Sequence, residues 1–134
     1  VRTHDRLWPP VLAVAAGGVV GALCRYGLHF AFPSIWTTWA INVTGCLLIG
    51  ALMPLVLDRP LLQPFLGPGV LGGYTTFSAY AVDVRRLLVD DRFLVAALYL
   101  LGTLLAALLA VWAGTLATER LLRRLTRRQT GCFR

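Results

Sequence analysis

The chain is written in long apolar runs separated by short polar links. The first run extends from about Val11 to Phe30 and is interrupted late by Arg25. The second, from about Ile35 to Leu57, carries no charge. The third, from about Leu61 to Val84, carries only Asp83, and the fourth, from about Phe93 to Thr118, is again uncharged. A run of about 20 residues forms a helix roughly 30 Å long, the thickness of a bilayer's hydrocarbon core. The links, Ala31 to Ser34, Asp58 to Pro60 and Arg85 to Arg92, are short. The pattern predicts an all-α membrane protein with four transmembrane helices over residues 1–118. A basic C-terminal tail follows, from Glu119 to Arg134. The first run is too long for a cleaved signal peptide and has no Ala-x-Ala site ahead of a soluble domain.

Composition agrees. The chain has 134 residues, 57% hydrophobic and 14% charged, with a mean hydropathy of +0.71. Soluble domains are about a quarter charged, so disorder is excluded and a soluble globule is disfavoured. The net charge is +7, and every basic residue is Arg. In so apolar a chain that balance suits anionic lipid headgroups better than nucleic acid. Four helices have little room to seal a polar pathway, so an oligomer is expected. Nine arginines (2, 6, 59, 120, 123, 124, 127, 128 and 134) fall on the side of the termini, against Arg25, Arg85, Arg86 and Arg92 opposite. The bias favours cytoplasmic termini. Trp8, Trp36 and Trp112 lie near segment ends, as interfacial anchors or as ordinary packing. Cys24, Cys46 and Cys132 have no metal spacing.

The third run is unusual. Within it, Gly72-Gly73 and Thr75-Thr76 are poor helix formers at membrane depth. A helix broken there frees backbone N–H and C=O groups, tolerated only inside protein or along an aqueous cavity. Free carbonyls suit a cation, and free N–H groups and hydroxyls suit an anion. Tight packing through Gly69-xxx-Gly73 is the alternative. In the second run Thr38, Asn42 and Gly45 fall near one helical face. Asn42 serves either as packing glue or as a donor to a ligand. Gly17, Gly21 and Arg25 share a face of the first run, where Arg25 is either a structural anchor or a vestibule charge. Tyr99 and Thr103, four apart in the fourth run, can step an ion along or bond their own helix.

Three ordered blocks then carry a resemblance: Gly-Gly-x-x-Gly-Ala-x-x-Arg-Tyr from Gly17, Asn42 with Gly45 and Gly50, and Gly-Gly-Tyr-Thr-Thr-Phe-Ser from Gly72. Together they resemble the Fluc (CrcB) fluoride channels, over roughly residues 11–118. The resemblance implies a passive, fluoride-selective channel in the bacterial plasma membrane that lets fluoride leave the cytoplasm. It implies an antiparallel dimer with two pores and a central sodium ion as the structural cofactor. Asn42 matches the pore asparagine, Phe77 the first pore phenylalanine and Ser78 the pore-adjacent serine. Tyr80 stands where a second phenylalanine is usual. Gly72 and Thr75 match the positions whose backbone carbonyls hold sodium. Tyr99 and Thr103 match the hydroxyl track, with Thr103 where serine is common, and Ala107 lacks the hydroxyl some members carry. Arg25 matches the first-segment arginine. The partner in that dimer is either a second copy or a paralogous subunit, and the uneven arginine count suggests a fixed orientation with an oppositely oriented paralogue.

Three rival functions are weaker on the residues. A small multidrug antiporter needs a carboxylate inside the membrane, and Asp83 lies at a segment end. A membrane hydrolase wants nucleophile, base and orienting group together, but the only histidines, His4 and His29, sit near ends. A non-transporting assembly subunit accounts for the glycines but not for the polar pattern.

Overall fold

The computed structural model describes residues 8–130. Arg2, His4, Arg6, Cys132 and Arg134, which entered the sequence argument, lie outside them. The described residues form helices and short links, with no strand. Helix α1 is Trp8–Ala31 and α2 is Ile35–Val56. The third run opens as α3 (Leu62–Pro64), winds as a π-helix over Phe65–Leu71 and closes as α4 (Gly72–Tyr74). After two extended residues comes α5 (Phe77–Val89), then α6 (Phe93–Thr130). Three helices, α1, α2 and α6, are long and apolar enough to cross a membrane.

Local chemistry sets these boundaries. Pro9 and Pro10 sit in the first turn of α1, where a missing N–H costs nothing. Ser34 caps α2, its hydroxyl accepting from the Trp36 N–H at 3.2 Å. Pro68 has no N–H to give a four-residue bond. Further along, the Gly72 N–H reaches the carbonyls of Gly67, five residues earlier, and of Gly69.

The helices overrun two expected limits. The link expected over Arg85 to Arg92 is helical as far as Val89, because arginine and leucine are good helix formers. The chain turns only at Asp90 to Arg92, with Asp91 at φ 56°, a conformation aspartate tolerates. Likewise α6 runs through Glu119 to Thr130 without a break at the start of the basic tail.

Packing pairs the segments by direction. Segment 62–74 lies along α1 in parallel. A Cβ on Gly17 would sit 2.9 Å from the Val70 nitrogen, and one on Gly21 2.7 Å from the Tyr74 nitrogen. A Cβ on Gly73 would sit 3.0 Å from Gly18 Cα. The glycines of both partners are therefore spent on backbone contact. Helices α2 and α6 also run parallel. Tyr99 bonds the Ile35 carbonyl at one end, and Thr118 bonds that of Ala51 at the other. Gly50 and Gly114 let their backbones touch, a Cβ on Gly114 lying 2.9 Å from the Ala51 nitrogen. The buried core is small and partly polar, with Ile41, Thr38, Ala96, Tyr99 and Thr103 at its centre. Most large apolar side chains face outward, including Trp8, Trp36 and Trp112, as lipid or a second subunit requires.

Gly21→Ala should cost about 1–3 kcal/mol by overpacking. Gly18→Ala, whose Cβ meets nothing within 4 Å, should be neutral or slightly stabilising. Thermal unfolding of the two variants in detergent checks the contrast.

Candidate functional site

The third run breaks at Thr75 (φ −73°, ψ 156°) and Thr76 (φ −149°, ψ 118°). Gly72 and Gly73, equally suspect in the sequence, stay helical. Asn42 of α2 grips the break at both atoms of its carboxamide. Its Nδ2 donates to the Thr76 carbonyl at 3.0 Å, and its Oδ1 accepts from the Thr76 N–H at 2.8 Å. A carboxamide has two N–H groups, so one is left to serve another acceptor. Thr76 also caps α5, its hydroxyl accepting from the Ala79 N–H at 3.2 Å. On the other side, Arg25 Nε donates to the Gly73 carbonyl at 3.2 Å. Arg25 thereby ties α1 to the end of the first half-helix.

Asn42, Thr76, Phe77, Tyr80 and Thr103 line one cavity of about 240 Å³, and no charged side chain borders it. Phe77 is 79% exposed. Its ring centroid is 5.8 Å from that of Tyr80, which is 5.6 Å from that of Tyr99. The Tyr80 hydroxyl donates to the Leu100 carbonyl at 2.7 Å. It is turned aside onto α6.

Ser78 faces elsewhere. With Thr38, Asp83, Arg86, Arg92 and His29 it borders a wider cavity of about 850 Å³. Its hydroxyl lies 3.2 Å from that of Thr76, so a hydroxyl pair spans the two sides of the α5 N-terminus. Tyr99 and Thr103 share a buried face of α6, but both hydroxyls are engaged by protein. Thr103 donates to the Tyr99 carbonyl at 2.6 Å. Tyr99 reaches the Ile35 carbonyl at 3.2 Å and Asp83 Oδ2 at 3.4 Å.

Asp83 is the residue the sequence misjudged. Because α5 continues to Val89, Asp83 lies mid-helix and is 7% exposed. Thr38 donates to its Oδ2 at 2.7 Å, and Arg86 stands 3.8 Å from Oδ1. The one available signal was Thr38, a turn before Asn42 on the same face of α2. Its partner across the fold was not readable.

The break also frees oxygen. The Thr76 N–H that would close the turn onto Gly72 goes to Asn42 instead, and Thr75 is extended. Backbone carbonyls are hard oxygen donors of the kind a cation such as sodium takes. Among the described residues no cluster of three or more His, Cys, Asp or Glu offers a side-chain metal site.

These features define a multi-pass helical membrane protein with a braced helix break at its polar centre. The chain belongs to the CrcB family: the profile of CrcB-like proteins (Camphor Resistance, CrcB) matches residues 12–115. Among its relatives is the Streptomyces coelicolor protein named fluoride-specific ion channel FluC 1. It is 45% identical over 132 residues, covering 91% of this chain and 86% of the relative. The Thermobifida fusca protein named fluoride-specific ion channel FluC 2 is 47% identical over 131 residues, 91% of this chain and 97% of the relative. The Stutzerimonas stutzeri protein named fluoride-specific ion channel FluC is 43% identical over 119 residues, 81% and 95% of the two chains. The relatives are named as ion channels, not as enzymes, and nothing in them supports an antiporter.

Thr38→Val should destabilise the fold by about 1–3 kcal/mol, because it strips a buried carboxylate of its shortest hydrogen bond. Thr38→Ser should recover most of the loss, with thermal unfolding as the readout.

Proposed function

We propose that this chain forms a fluoride-selective channel that releases fluoride from the cytoplasm by passive electrodiffusion. The observation that carries the reading is the neutral, aromatic-walled cavity at the Asn42-braced break. The relatives' names supply the ion. Fluoride is small and strongly hydrated, so a pathway must replace its lost water with donors. The free N–H of Asn42 is one, and the edges of Phe77 and Tyr80 add partial positive charge. A deep cation would bind too tightly for exit.

In this reading the interrupted segment 62–89 is a fourth crossing, and residues 1–118 make the channel with 119–134 as its basic tail. The outward Phe77 supports an antiparallel dimer in which breaks of two subunits face each other. The carbonyls of Gly72 and Thr75 would hold a structural sodium ion there, using oxygens the helix no longer needs. Ser78, Tyr99 and Thr103 form a polar margin beside the path, and Arg25 fixes the half-helix and its vestibule. The arginine imbalance supports a fixed orientation in a bacterial plasma membrane and, with it, an oppositely oriented paralogue as the partner; a second copy serves only if the chain inserts both ways.

Liposomes carrying the purified chain, with and without a paralogue, should release fluoride and retain chloride. Asn42→Asp should cut fluoride efflux at least about tenfold, since a like charge at about 4 Å costs roughly 1–4 kcal/mol. A folded Asn42→Asp variant with full efflux removes Asn42 from the path.

A further inference from the structure

The last turns of α6 take no part in the site described above, and they are built as a surface. The outward row of α6 runs Leu94, Leu98, Leu105, Leu109 and Trp112, each 59–73% exposed, and ends at half-buried Leu116. At about 1.5 Å per residue this apolar row is about 33 Å long, against a hydrocarbon core of about 30 Å. The same side of the helix then presents Arg120, Arg123 and Arg124, all exposed. The opposite side carries Leu121, Leu122 and Leu125. This is the side on which Thr118 meets α2.

We propose that the α6 end from Arg120 onward is a docking surface for anionic phospholipid headgroups. The change from leucine to arginine comes where the row leaves the hydrocarbon, at the depth of lipid phosphates. Guanidinium groups hold phosphate oxygens through two parallel N–H bonds, and their stems lie along the acyl boundary. Arg59, exposed on the link after α2, adds a further positive charge at the same end, and among the described residues Asp58 and Glu119 are the acids there. Glu119 stands 3.6 Å from Arg123 and offsets only part of this charge. The continuity of the charged side with a lipid-length apolar row selects a membrane over a soluble acidic partner.

Native mass spectrometry of the detergent-purified full chain tests this without reference to transport. The probes are phosphatidylglycerol and phosphatidylcholine with identical acyl chains. Each arginine near the surface contributes roughly fivefold. The unmodified chain should therefore retain phosphatidylglycerol at least about tenfold better than phosphatidylcholine. The triple variant R120Q/R123Q/R124Q should bring the two within about twofold. Equal retention by the unmodified chain, or an undiminished preference in a triple variant of normal helicity by circular dichroism, overturns the proposal. If the variant loses helicity, the unmodified chain decides. Its preference should shrink as ammonium acetate rises from about 50 mM to about 500 mM, and a salt-independent preference overturns the assignment.

Discussion

The two-point bond between the Asn42 carboxamide and the peptide of Thr76 is the constraint on which the centre of the molecule depends. An extended backbone in an apolar surrounding leaves polar groups that cost about 1–3 kcal/mol each if unmet. One side chain meets both groups of Thr76, and α5 can then restart at once under the Thr76 cap. The restart sets the register of everything beyond it. It sends Tyr80 against α6 and carries Asp83 to Thr38 and Tyr99. Asparagine does this without adding charge, which keeps the adjoining cavity neutral.

Close backbone contact supplies the frame around that bond. Gly17, Gly21 and Gly73 on one side, and Gly50 and Gly114 on the other, occupy places where a Cβ would meet backbone atoms. With lipid tails as apolar as leucine, such contacts replace the hydrophobic drive that holds soluble helices together. The core is accordingly small, and its polar members are paired with one another or with main chain.

Much of this was legible in the sequence, for identifiable reasons. Length and hydropathy predicted the long helices because a bilayer demands both at once. The Thr75-Thr76 interruption stood out because it contradicts its surroundings. The roles of the glycines were less legible. Gly72-Gly73 reads as a breaker by propensity, yet both stay helical, and at Gly73, packed against the backbone of Gly18, smallness is what the contact requires. Asp83 was misplaced because charge suggested a helix end, while arginine and leucine carried α5 onward. Thr103 and Tyr99 were rightly seen on one face, but only the fold reveals that their hydroxyls bond protein.

The two halves of the interrupted segment are held by different neighbours. Segment 62–74 lies mainly on α1 and also touches α2, whereas α5 leans on α2 and α6. Helix α2 touches both halves, and from it Asn42 holds the peptide of Thr76 between them. The peptide that links the two half-helices is therefore also part of the wall of the cavity beside Phe77 and Tyr80.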